Sequence, residues 1–207
     1  MMAAMGMPMN APWTARDLLF TFAMWAVMMI GMMTPTATPV LLLLAGAQAR
    51  RAQPGSALVV PSFALGYLSV WVGFSGLAAM AQWGLHEAAP ASGPLGGAIL
   101  IAAGVYQLTP LKAACLTRCQ TPLGFLLSHW RDGASGAYRM GVRHGVFCLG
   151  CCWALMLVLF VVGVMNLAWV GVLTLFILAE KLVAAGHWIA RAGGAVLITL
   201  GVVVVSR

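Results

Sequence analysis

Acidic side chains are nearly missing from this chain: Asp and Glu together number four in 207 residues. They are Asp17, Glu87, Asp132 and Glu180, scattered from one end to the other. There is no carboxylate pair, no nucleophile–base set and no glycine-rich phosphate loop, so a hydrolase is not indicated and no catalytic residue is assigned. Charge of either sign is scarce. Charged residues make up 7% of the chain, against about 25% in soluble domains, and this excludes a globular domain with an ordinary water-facing surface. What fills the space is apolar: 62% of residues are hydrophobic, with a mean hydropathy of +0.98. The composition is that of a polytopic membrane protein.

A spanning helix needs roughly 20 mainly apolar residues. Six runs qualify as expectations: about Leu18–Ala47, Ala57–Trp83, Pro94–Leu111, Gly145–Val164, Leu167–Ala185 and Trp188–Val205. Pro35 and Pro39 should kink or break the first. The connection from about 112 to 144 reads as a loop carrying Pro122, several charges and few large apolar residues. The predicted fold is therefore all-α, one transmembrane helix bundle spanning 1–207. A methionine-bearing tail of about 1–16 lies ahead of it.

With six spans, nine of the eleven basic residues fall in the first, third and fifth connections, leaving Arg16 and Arg207 outside them. Lys and Arg stay on the cytoplasmic side. This predicts a bacterial inner membrane protein with both termini outside and 112–144 as an inner loop. The net charge of +7 then reflects topology, not a nucleic-acid surface, and the arginines are too scattered for a good polybasic lipid-binding loop. The N-terminus lacks a basic n-region before an apolar run, so no removable signal peptide is expected.

Five cysteines form two clusters, Cys115/Cys119 and Cys148/Cys151/Cys152. On a helix Cys148 lies about 40° from His144 and Cys151 about 20° to the other side, so the three share a face. Met156 would extend that face. Cys115 and Cys119 are one turn apart, with Lys112 beneath them, and Thr109-Pro110 and Thr121-Pro122 read as the start and stop of their helix. Both clusters fall at the inner membrane boundary and meet if the third and fourth spans pack together. Thiolates are soft ligands that select Cu(I), with zinc second. The bland alternative is that cysteine is a small buried residue.

Met24, Met28 and Met32 recur every four residues on the first span, with Met29 and Met33 beside them, and Met5, Met7 and Met9 lie in the tail. Thioethers also prefer Cu(I), although Met fills irregular helix contacts just as readily. Glu180 is expected to face the bundle with a partner such as Lys112 or Arg143, while Lys181 snorkels to the interface. His129 and His187 read as surface histidines. His86-Glu87 is an isolated pair.

In order along the chain stand Met28-Met29-x-x-Met32-Met33-x-Pro35-x-x-x-Pro39, Tyr106-Gln107-Leu-Thr-Pro110-Leu-Lys112-x-x-Cys115-x-x-x-Cys119, Gly150-Cys151-Cys152-Trp153-x-Leu155-Met156 and Glu180-Lys181. This set resembles a bacterial family of uncharacterised, predicted metal-binding, multi-pass integral membrane proteins. The resemblance runs from about Trp25 to Lys181 and implies a helical inner-membrane protein with a metal role.

The leading expectation is binding or transfer of a soft transition metal, copper first. The ligands would be Cys115, Cys119, Cys148, Cys151, Cys152, His144, Met28 and Met32, with Lys112 and Glu180 as polar partners. The expected partners are the lipid bilayer and a metal-handling or membrane-complex protein, with no nucleic acid. One alternative is a quinone-linked thiol–disulfide oxidoreductase, because Cys148-x-x-Cys151 is formally a redox motif. Another is a structural subunit of a larger membrane complex. A binding role is preferred over an enzyme.

Overall fold

A computed structural model describes residues 14–51, 56–88, 93–163 and 166–206. Among these the chain forms eight helices: α1 (Ala15–Arg51), α2 (Ser56–Ala88), α3 (Gly93–Gln107), α4 (Pro110–Gln120), α5 (Pro122–His129), α6 (Gly133–Val162), α7 (Leu167–Leu182) and α8 (Gly186–Val205). The all-α expectation holds. The tail residues Met5, Met7 and Met9 lie outside the described residues, as do the side chains of His86 and Glu87.

The six expected spans map onto α1, α2, α3, α6, α7 and α8. Of these, α1, α2, α6 and α8 are by themselves long and apolar enough to cross a membrane. The α3–α4 pair is a fifth only if taken together across a 63° bend. That bend is written in the sequence: Thr109 caps α4 by accepting the Lys112 N–H (3.3 Å), and Pro110 takes its first position, where a missing N–H costs nothing. Thr121 ends α4 and Pro122 opens α5 in the same way.

One expectation is corrected and one is narrowed. The 112–144 connection is not a loop, since it carries α4, α5 and the first turns of α6, which begins at Gly133 and not near 145. Its one proline, Pro122, takes the first position of α5, and Thr121 stands at the α4–α5 boundary, so neither interrupts a helix interior. The first span does not break: α1 continues through Pro35 and Pro39. Hydroxyls take up carbonyls around the prolines, Thr34 donating to Ile30 (2.6 Å) and Thr38 to Thr34 (3.3 Å). At the other end, Thr14 and Asp17 form a reciprocal capping box.

The bundle is apolar on its outer faces, and its mainly hydrophobic interior also encloses several polar side chains. Leu19, Leu42, Leu58, Leu65, Leu77 and Leu175 are each more than 60% exposed, while Gln107, Lys112, His144, Glu180 and Lys181 are buried. Soluble domains show the opposite arrangement. Trp25, Phe63, Tyr67, Trp71 and Met156 are among the largest fully buried side chains.

Helices meet through glycine where backbones touch. Against α6, a Cβ at Gly66 would strike the Tyr138 carbonyl, and one at Gly141 would strike the Phe63 carbonyl. Small residues permit such close packing of apolar helices. Gly141→Ala should therefore lower the unfolding midpoint in detergent by the equivalent of about 1–3 kcal/mol, the usual cost of overpacking. Gly73→Ala, whose new methyl meets nothing within 4 Å, should be neutral or stabilising, and equal effects of the two changes would contradict this packing.

Candidate metal centre

Helix α6 presents Cys148, Cys151 and Cys152 to the interior, each 1% exposed. The Cys151 and Cys152 thiols both turn back on the Cys148 carbonyl, at 3.1 and 3.0 Å. From α4, Cys119 approaches until its Sγ lies 3.9 Å from that of Cys151. Cys115, one turn earlier, packs on Gly150, where a Cβ would lie 2.8 Å from its sulfur. The Tyr106 hydroxyl donates to the Gly150 carbonyl and ties α3 to the same turn of α6. The two cysteine clusters thus come together, as the shared-depth argument expected, although through α4 and not through a straight third span. All five thiols are free.

Cys148 faces a different set of groups. Its Sγ accepts from Lys181 Nζ at 2.9 Å and lies 3.1 Å from the Tyr67 hydroxyl. Thr36 completes this pocket, 3.1 Å from Tyr67 Oη and 3.4 Å from Lys181 Nζ. Tyr67 and Thr36 both donate to the Met33 carbonyl, at 3.0 and 2.8 Å. The expectation that Lys181 snorkels is therefore corrected: it is 5% exposed and points inward. Glu180, its neighbour in sequence, turns about 100° away. There it pairs with Lys112 at 2.8 Å through both oxygens and accepts from Gln107 Nε2 at 3.2 Å. Lys112 also donates to Gln107 Oε1. Of the two partners considered for Glu180, Lys112 is the one in contact.

His144 is buried with its ring among Phe63, Tyr67 and Phe125, centroids 5.9, 5.9 and 5.0 Å away. Among the described residues its Nδ1 has no hydrogen-bond partner, unusual for a buried polar atom. Among the methionines, Met29 and Met33 are fully buried, Met32 nearly so, and Met24 and Met28 are only half-buried. His129 bonds Ser128 Oγ at 2.7 Å, and His187 lies 3.3 Å from Thr117 Oγ1. Both sit away from the cysteines' direct contacts. Among the described residues no three His, Cys, Asp or Glu side chains converge on one metal position, so the donors are organised in pairs and not in a closed cage.

Sequence reasoning missed Thr36, Tyr67 and the inward turn of Lys181. Tyr67 is one of only three tyrosines, and a hydroxyl within an apolar span needs a partner. That signal was available.

The Lys112–Glu180 pair is 1% and 0% exposed, and removing one member of such a pair costs about 3–5 kcal/mol because the other charge is stranded. Glu180→Leu should accordingly destabilise the detergent-solubilised protein strongly, and adding Lys112→Met should restore much of the loss. Additive losses, measured from unfolding midpoints, would show that the two charges do not act as a pair.

No curated protein and no solved structure matches the chain. Residues 22–204 match the sequence model of a family described as a copper chaperone, PpoB2. The match covers α2 to α7 completely and most of α1 and α8. The buried thiols therefore stand in a chain whose family handles copper: it belongs to the PpoB2 copper chaperone family.

Proposed function

We propose that the protein is a membrane-embedded copper chaperone that holds Cu(I) between Cys119 and Cys151 and passes it on by ligand exchange. The observation that carries this reading is the 3.9 Å approach of two sulfurs from different helices. Metal–thiolate bonds of about 2.3 Å put two bound sulfurs about 3.8 Å apart at a tetrahedral angle and about 4.6 Å apart when linear. The pair is thus already close to bridging distance. Thiolates favour Cu(I) over harder ions, with zinc the second choice.

Cys148 stands one turn from Cys151, and Cys115 and Cys152 lie on the neighbouring turns, so copper has alternative thiolates within a small shift. His144 offers a nitrogen. Met33 and Met32 offer weaker thioethers along α1, and Met28 is a more peripheral one. Transfer then proceeds by substitution: a bond from copper to an incoming sulfur forms as a bond to Cys119 or Cys151 breaks, and the metal stays Cu(I). Paired, exchangeable donors suit delivery better than a closed structural site. The recipient would be a metal-handling or membrane-complex protein.

The apolar exterior and four long apolar helices support a bacterial inner-membrane location. The 9-to-2 basic asymmetry supports both termini outside, with 112–144 within. A thiol–disulfide oxidase for exported proteins asks for an outward-facing dithiol, and the basic asymmetry favours an inward position for the cysteines.

Purified full-length protein should bind Cu(I) in competition with a chromogenic Cu(I) chelator. Cys119→Ser/Cys151→Ser should weaken binding at least about tenfold, and Met32→Leu should do less, because an anionic thiolate donates more to copper than a neutral thioether. Affinity should also fall as pH falls, by up to about tenfold per unit for each thiol proton that copper must displace. Unchanged affinity in the double cysteine variant would overturn the site.

A further inference from the structure

Arg131, Arg139 and Arg143 are spread over the end of one connection in sequence, and as a linear motif they say little. Folded, they line a single open cavity of about 470 Å³ together with Ser128, His129 and Trp130. Arg139 and Arg143 stand one turn apart on α6, and Arg131 comes from the turn between α5 and α6. The Arg131 N–H bonds the sulfur of the buried Met140 at 3.2 Å, which fixes that turn against α6 between the two other arginines. All three arginines are exposed, and the neighbouring acid, Asp132, accepts from Trp130 Nε1 at 2.8 Å. The basin is thus a concentration of positive charge open to an outside anion.

Position narrows the kind of anion. α6 carries Arg139, Arg143 and His144 in its first half and no charged residue from Gly145 to its end, so in the membrane-embedded reading the basin lies at the polar end of the span. Beside it α5 buries Phe125 and Leu126 and turns Leu123 and Leu127 outward, 57% and 75% exposed. Trp130 on the rim is a residue type favoured at head-group depth. Guanidinium groups grip phosphate oxygens bidentately, and exposed leucines next to them suit acyl chains.

We propose that this basin binds the phosphodiester head group of an anionic phospholipid, with Leu123 and Leu127 against its chains. A free phosphate offers the same oxygens but leaves the leucines without a role. The site is separate from the thiols and rests only on the membrane-embedded part of the proposed function.

Native mass spectrometry of the full-length protein in mild detergent, titrated with phosphatidylglycerol or phosphatidylcholine of identical chains, tests this. Phosphatidylglycerol should bind more tightly. Arg139→Gln/Arg143→Gln should weaken it about 30-fold, roughly fivefold per charge, and leave phosphatidylcholine unchanged, while Arg16→Gln at the far end should change neither. If the glutamine pair misfolds, Arg139→Lys/Arg143→Lys keeps the charge but loses the fork, and it should still bind phosphatidylglycerol less tightly than the unmodified protein. Full phosphatidylglycerol binding in these variants would overturn the proposal. So would displacement of the lipid by equimolar inorganic phosphate, which would mark a soluble anion site. Carbonate extraction of the same preparations separates the two readings: protein that resists extraction but shows no head-group preference refutes the lipid site alone, and protein that is extracted refutes the membrane reading.

Discussion

Three charges inside an apolar bundle, Lys112, Glu180 and Lys181, are the constraint on which the rest of this structure depends. A buried charge is costly unless it is paired and hydrogen-bonded. Glu180 and Lys112 satisfy one another, with Gln107 closing the set, and this fixes α7 to the α3–α4 bend. Lys181, one residue on, is left with a thiol and a hydroxyl, Cys148 and Thr36. A positive charge with no carboxylate in contact is best balanced by a sulfur able to carry negative charge. The same two residues of α7 therefore brace the bundle on one side and organise the sulfur chemistry on the other.

The cysteines answer to that frame. α6 supplies three of them on a buried face, and α4 brings Cys119 up to Cys151 because the bend at Thr109-Pro110 swings it off the line of α3 onto α6. The bend, a common helix-start signal, is what brings a pair and a trio of thiols into one group. Among the described residues no three of the metal-ligating side chains converge as in a closed zinc site.

Much of this was legible in the residues. Thr109-Pro110 and Thr121-Pro122 mark real helix boundaries, Glu180 does turn inward to Lys112, and the cysteine clusters do meet. The misreadings have physical causes. Lys181 looked free to snorkel because helical spacing gives its angle to Glu180 but not which angle faces lipid. The 112–144 stretch, with Pro122, several charges and few large apolar residues, reads as loop, yet most of its polar side chains lie on the exposed faces of helices. Methionines spaced by four drift about 40° per step around a helix. Of Met24, Met28 and Met32 only the last therefore reaches the core, and the adjacent Met29 and Met33 take the deepest positions. The Tyr67 hydroxyl in an apolar span signals the need for a partner, but that partner, Thr36, stands 31 residues away and no local pattern names it.

X-ray absorption at the copper edge, on full-length protein loaded with one equivalent of Cu(I), tests the central claim most directly. The account predicts a sulfur-only inner shell in the unmodified protein, with sulfur neighbours lost or replaced in Cys119→Ser/Cys151→Ser. An inner shell of nitrogen and oxygen, or a spectrum unchanged by the double substitution, would contradict it.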